Sequence, residues 1–449
     1  MRALSSFRNP RTGLSLGCFS VIAASLLVGC GDDPASSPTS PDGDVEGDVG
    51  ADAEPSPDTV APPDVAPPPD VSPPELARVE TLYDGEVAMI FGSSAPVSVE
   101  VPANVVSVTV SVIGEDASYY GLASWSGPNG FDLVSAGWLN TSDGQSGLCL
   151  SCKNRIAIST GSFASLAPNN PASQVEAGSH VFTLFGFTPA EVIQSQGPCG
   201  DGICHFQDQF ACTRDCGGSP AGGLVRVVVH AKLAEAGLPQ TGILDLNLHF
   251  TGAQGLTAAT AQSDANFQQS LQSVRDIYAT VGIALGEITY RDIDEGYRVI
   301  ESLDGADSDL QAMFAESEGN PNALNLFFVD ELSAGQFGGF GVILGIAGGI
   351  PGPTLVQGSS RSGVAIAVKP IPGAPAGIDT TIAHETGHFL GLFHTSEQAF
   401  FGPQIHDPLP DTPENDESFL MFNTGAGNKL SEWQGRIMRS NPWVRHPAQ

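Results

Sequence analysis

The 449-residue chain carries 50 Asp and Glu against 18 Lys and Arg, a formal charge of −32. A surface this acidic repels nucleic acid and anionic bilayers, so no nucleic-acid partner is expected. Beyond the first 30 residues no run is apolar enough to cross a bilayer.

The chain opens with Arg2, Arg8 and Arg11, an apolar run from about Leu14 to Leu27, and then Val28-Gly29-Cys30. A basic start, a short apolar core and small residues before a cysteine read as a bacterial lipoprotein signal. On that reading residues 1–29 are removed and Cys30 carries lipid, which anchors the protein in the cell envelope, exposed at the outer membrane or cell surface. An ordinary secretory peptide that happens to end in cysteine is the alternative. Losing three arginines takes the charge from −32 to −35, by −32 − 3. Residues 30–78 read as a tether. Gly31 to Pro74 contains no aromatic residue, Lys or Arg, so it cannot bury a core, and its prolines and repelling carboxylates favour an extended spacer on the order of 130 Å at its limit.

Residues 79–238 alternate with period two, most clearly over Val97–Val101, Val106–Val112 and Val181–Phe185. With Gly, Asn, Pro and Ser turns between such runs, the expected fold is an antiparallel β-sandwich, closed by a last strand over Leu224–Leu233. A Cys-rich insert at about 197–218 interrupts it, with Cys199-Gly200-Asp201-Gly202-Ile203-Cys204 followed by Cys212-Thr213-Arg214-Asp215-Cys216. It resembles the CGDGxC…CxxDC repeats of secreted bacterial proteins, which implies a small disulfide knot, with calcium held by Asp201 and Asp215 as an added expectation. Once Cys18 leaves with the signal and Cys30 takes lipid, six cysteines remain as disulfide candidates: Cys149, Cys152, Cys199, Cys204, Cys212 and Cys216. A rival role for Cys199 is an inhibitory ligand to a metal.

From residue 239 to 449 the pattern becomes α/β. Ile243–Phe250 alternates as a strand, and Ser263 can cap a helix whose Phe267, Leu271, Val274, Tyr278 and Val281 recur at helical spacing. Strands follow near Ile288–Tyr290, Leu326–Val329 and Val364–Val368, with a helix around Leu310–Phe314 between the first two. The Gly-rich stretch from Gly335 to Gly363 lacks the phosphate-loop pattern and suits a loop at a cleft.

The sharpest signal is His384-Glu385-Thr386-Gly387-His388-Phe389-Leu390-Gly391-Leu392-Phe393-His394, a gapless HExxHxxGxxH. Two histidines four apart share a helix face and can ligate one zinc ion, with Glu385 beside them as general base. Gly391 permits the positive φ that ends the helix sharply, so that His394 can complete the ligand set. Three protein ligands leave a fourth position for water, the arrangement of catalytic rather than structural zinc. Proton abstraction from that water by Glu385 points to hydrolysis of peptide bonds.

With this motif the chain resembles the metzincin clan of zinc metalloproteases. Weaker matches narrow the resemblance to the pappalysin (cytophagalysin-like) type: Leu344-Gly345-Ile346-Ala347 and Pro351 ahead of Val364-Ala365-Ile366, Asp411-Thr412-Pro413, Met421, and Leu430-Ser431-Glu432-Trp433-Gln434 with Arg436 and Met438. The resemblance covers roughly residues 242–445. It implies an α/β protease domain after the sandwich, a hydrophobic floor supplied by Met421, and an edge strand, Gly363–Val368, that pairs with extended protein or peptide substrates. It also implies structural calcium near His406, Asp407 and Asp411. Asn423 stands two residues after Met421, so the extra tyrosine ligand of astacin-like enzymes should be absent. A surface adhesin or carbohydrate-binding lipoprotein with an accessory protease domain is the alternative from another class, and a zinc hydrolase of non-peptide amides is a third.

Overall fold

A computed structural model of the protein describes residues 75–189, 192–193, 204–205, 219–305, 307–333, 343–370, 374, 376–398 and 404–448. Cys30, the tether, Cys199, Cys212, Cys216, Asp201 and Asp215 lie outside the described residues, and Cys204 enters only through a two-residue strand paired with Val192–Ile193. The architecture is β-rich, with a large mixed sheet and few helices. Among the described residues no helix is long and apolar enough to span a membrane.

The N-terminal half follows from the period-two pattern. In chain order it contains β1 (Glu75–Ile90), β2 (Val97–Val101), β3 (Val105–Ile113), β4 (Tyr119–Ser126), β5 (Leu148–Cys149), β6 (Ile156–Ala157), β7 (Ser162–Ala167), β8 (Gly178–Thr188) and β9 (Gly223–Leu233). One antiparallel wing runs β7-β3-β9-β1, and a second places β8 between β2 and β4. Ser93–Ser94 pairs with both β1 and β8 and joins the wings. Val108, Val110, Val112, Val225, Val227, Phe182, Leu184 and Trp125 share one buried cluster, because alternate positions of each strand turn to the same side. Cys149 and Cys152 form a disulfide across the turn of the β5–β6 ribbon.

The C-terminal half contains β10 (Gly242–Phe250), α1 (Ala265–Ala279), β11 (Ile283–Asp292), α2 (Asp309–Ala315), β12 (Leu324–Val329), β13 (Gly345–Ala347), β14 (Val364–Ala367), α3 (Ile378–Phe389), β15 (Ser396–Gln398), β16 (Gln404–His406), α4 (Glu432–Ser440) and β17 (Val444–Pro447). Its sheet order is β11-β10-β12-β14-β13, parallel except for β13. Successive residues of β12 serve opposite faces: Leu324, Leu326 and Phe328 pack with α1 and α3, while Phe327 and Val329 pack with α2. Tyr278 Oη on α1 donates to Ala383 O on α3 at 2.8 Å and fixes the two long helices together.

Two expectations need correction. The cap of α1 is Asp264, whose carboxylate accepts from Phe267 N at 2.8 Å, rather than Ser263, and Val281 lies past the helix end. A carboxylate one residue later both caps the first turn and faces the positive end of the helix dipole. The second correction concerns the sheet edge. Val364–Ala367 is bonded on both sides, to β12 and to β13, because the chain folds back from Gly345 through a turn and covers it. Among the described residues the outer strand is therefore β13.

The halves share structure. β17 pairs with β1 at Glu75 and Ala77 and with β10 at Ile243 and Leu244. Leu166 of β7 is fully buried within the cluster of the C-terminal half, a burial that contributes roughly 1.5–3 kcal/mol. The Lys232 ammonium of β9 donates to the carbonyls of Arg439, Asn441 and Val444 at 2.6, 2.9 and 2.5 Å, closing the C-terminal end of α4.

Candidate active site

Helix α3 ends where its sequence requires. Gly391 takes φ 110°, its N–H bonds to His388 O at 2.8 Å, and Leu392 N bonds to Gly387 O at 3.0 Å. These two bonds are the reciprocal pair that closes a helix on a left-handed glycine. The chain then reverses and brings His394 back over the last turn of the helix.

His384, His388 and His394 converge. Their Nε2 atoms lie 3.1 Å (His388 to His384), 3.2 Å (His384 to His394) and 3.2 Å (His388 to His394) apart. Each ring's other nitrogen has an acceptor: Leu420 O at 2.6 Å from His384 Nδ1, Leu392 O at 2.7 Å from His388 Nδ1, and Glu397 Oε2 at 2.6 Å from His394 Nδ1. Acceptors at every Nδ1 place the ring proton there and turn three Nε2 lone pairs toward one point. Three lone pairs at this spacing repel unless a cation lies between them. A tetrahedral ion with nitrogens at 2.0–2.1 Å holds them about 3.3 Å apart, so the donor set fits zinc. Burial holds His384 down to about 3 and His388 well below the ordinary histidine value, which keeps both rings neutral and able to donate a lone pair.

Glu385 is fully buried beside the triad, and neither carboxylate oxygen has a hydrogen-bond partner among the described residues. Burial raises its pKa to about 8, against a small lowering by the nearby Ala347 amide. A buried carboxyl is costly unless it has work to do, and Glu385 stands next to His384 on the same helix.

Strand β13 passes directly over this carboxyl. A Cβ on Gly345 would sit 2.5 Å from Glu385 Cγ and 2.9 Å from Thr381 Cγ2, so only glycine lets strand and helix approach this closely. Met421 lies on the other side of the helix, fully buried, where a Cβ on Gly387 would come 2.8 Å from its Sδ. Its carbonyl accepts Thr395 N at 2.8 Å, and its neighbour Leu420 orients His384. The structure thus brings Gly391, Met421, Glu385 and the three histidines into one place.

Glu397 and Gly345 were not singled out as site residues by the sequence. Burial alone would raise Glu397, but the adjacent His394 ring and the Arg155 charge outweigh it and hold the carboxyl below its ordinary value. A carboxylate three residues after the last histidine of the motif was the only signal for it. Of the calcium candidates, Asp407 Oδ1 accepts from Thr412 Oγ1 at 2.5 Å and Asp411 Oδ2 accepts Trp433 N at 3.0 Å. Among the described residues the one group of three such side chains close enough to share an ion is the histidine triad, so His406, Asp407 and Asp411 gather no support as a calcium site.

The chain is 26% identical over 211 residues, 44% of its length, to an extracellular metalloprotease of Pyricularia oryzae, of which the match covers 69%. Among solved structures, metalloproteinase-II from Bacteroides fragilis aligns at 13% identity with a TM-score of 0.29, over 48% of this chain and 63% of that one. The chain thus spans less than two thirds of that structure. A family two carbohydrate esterase from Clostridium thermocellum aligns at 7% identity, with a TM-score of 0.14 over 56% of this chain and 65% of that one. At these TM-scores neither structural overlap bears on the fold. No protein-family model matches the chain.

Proposed function

We propose that the chain is a zinc-dependent endopeptidase of the metzincin, pappalysin type, with an α/β protease domain behind an N-terminal β-sandwich. On this reading it acts on extracellular proteins and is held at the cell surface through lipid on Cys30. One observation carries the reading: three buried imidazoles, each with its Nδ1 proton engaged elsewhere, aim their remaining lone pairs at one point beside a buried, unpartnered carboxyl. The distant similarity to an extracellular metalloprotease supports it.

His384, His388 and His394 would hold the ion. When bound, zinc supplies a Lewis acid for the substrate carbonyl and makes water acidic enough to lose a proton near neutral pH. Glu385 would accept that proton and later return it to the leaving amine. The outer edge of β13 offers backbone groups to an extended peptide next to Glu385. Glu397 fixes the tautomer and tilt of His394.

The test is a proteome-derived peptide library digested by the purified protein, with products read by mass spectrometry. Cleavage should stop with chelator and return with zinc. Glu385→Gln should keep one zinc per chain and cut nothing. Protein that purifies without metal-binding capacity, or a fully active Gln variant, overturns the reading.

A further inference from the structure

A cavity of about 60 Å³ opens beside His388 and His394 and continues between the two halves of the molecule. The C-terminal half contributes Ile350, Pro351 and Phe393 to its wall, but the opposite wall is foreign to the protease half. It consists of Leu148, Ala157, Ile158, Ser159 and Ala164, from the N-terminal half. Leu148 and Ala157 face each other across the β5–β6 ribbon, and the Cys149–Cys152 disulfide closes the turn of that ribbon. The wall is therefore stiff and mostly apolar, with Ser159 as its one polar side chain.

The two charged groups that reach the cavity are both engaged. Arg361 Nε donates to Thr160 O at 2.9 Å, and its guanidinium also meets Thr160 Oγ1 and Asp304. Glu397 accepts from His394. What remains for a guest is a small, mostly apolar space. An engineered cavity of about 150 Å³ admits benzene, so one of about 60 Å³ admits a few carbon atoms and no ring.

We propose that the N-terminal half is a working part of the substrate site: its Leu148, Ala157, Ile158 and Ala164 close a pocket beside the histidine triad that selects peptides with a small aliphatic side chain, Ala to Val in size, next to the scissile bond. This rests on the peptidase reading above. It gives that reading a substrate class, and it places the selecting residues 220 (384 − 164) to 246 (394 − 148) positions away from the zinc motif in sequence.

The experiment uses the full chain and a set of peptides identical except for one residue, Ala, Val, Leu, Phe or Arg, placed on each side of the scissile bond in turn. On one side, Ala and Val should exceed Phe and Arg in kcat/KM by on the order of 100-fold, the discrimination that a few methylenes give in a tight apolar pocket. Leu148→Ala should extend acceptance to Leu and Phe, while Ala157→Leu should fill the space and suppress Val peptides. Thermal melts of both variants confirm that each is folded. Binding of the same peptides to Glu385→Gln protein, by calorimetry, reads the pocket without turnover. If the wild type cuts no peptide, the peptidase reading fails, and the binding series still decides the pocket. Equal acceptance of Ala and Phe, or a preference that neither substitution shifts, overturns the proposal.

Discussion

Gly345 and Gly387 flank the same helix and differ in what a methyl group would meet. At Gly345 the obstacle is Glu385 Cγ at 2.5 Å, with Ala365 O at 3.2 Å behind it, so neither strand nor helix can give way cheaply. At Gly387 the nearest atom is the thioether sulfur of Met421 at 2.8 Å, the end of a flexible chain. Gly345→Ala should therefore displace Glu385 by a fraction of an ångström to one ångström and lower kcat/KM on the order of 100-fold with zinc content unchanged. Gly387→Ala should cost less than about tenfold. Parallel kinetics and metal analysis of the two variants check this, and equal losses would contradict the steric argument. The three histidines, Glu385 and Gly391 were legible in the sequence because one helix and its cap hold them within eleven residues. Gly345 and the Leu420 carbonyl were not, because each acts across a contact that no local spacing encodes, and Glu397 stood three residues past the motif with only that spacing to mark it.

Among the elements, the hairpin β15–β16 and the loop that follows it carry the groups that steady His394. Arg155, from the N-terminal half, donates to His406 O at 2.9 Å and lies 5.5 Å from the centre of the Phe393 ring, so it reaches both arms of this segment. Next to His406, Asp407 is buried with one oxygen lacking a partner, and burial raises its pKa to about 6. An ordinary aspartate titrates near 3.9, so between these values the folded chain keeps a proton that the unfolded chain has released. Stability from this group is complete below pH ~4 and falls as pH rises through about 6, by at most ~3 kcal/mol. Asp407→Asn retains an oxygen for Thr412 and Leu409 and removes the titration. Urea denaturation at pH 4.5 and 8 should show little difference between variant and wild type at the lower pH and a more stable variant at the higher one. A variant that is less stable at pH 8 would show that the ionised carboxylate is held by partners. The sequence marked Asp407 as a calcium candidate in a polar loop and gave no sign of its burial, which depends on the fold around it.

At the scale of the molecule, the alternation in β3 shows why the sequence concealed the contact between halves. Val108, Val110 and Val112 enter the N-terminal core as their pattern demands, and the intervening Ser107, Thr109 and Ser111 would normally face water. All three are fully buried instead: Ser107 Oγ donates to Ser440 O at 2.6 Å, and Ser111 Oγ accepts Thr354 N at 3.0 Å. Small hydroxyls read as solvent-facing in a strand, yet they also suit a flat surface against another backbone. Together with Leu166, Lys232 and the shared strand β17, they make the halves mutually dependent. A C-terminal half started at Gln240 would lose Leu166 from its core and the donor to three carbonyls at the end of α4, each buried acceptor costing roughly 1–3 kcal/mol. That piece should be insoluble or unfolded when expressed alone. In the whole chain, heating should give one calorimetric transition, and zinc removal should lower it, because an ion bound only by the native state stabilises everything that unfolds with it. Hydrogen exchange tests the coupling directly: on chelation, amides of β3 and β9 should lose protection together with those of α3. Loss confined to the C-terminal half, or two separate thermal transitions, would mean that the shared strand and buried lysine do not join the halves into one cooperative unit.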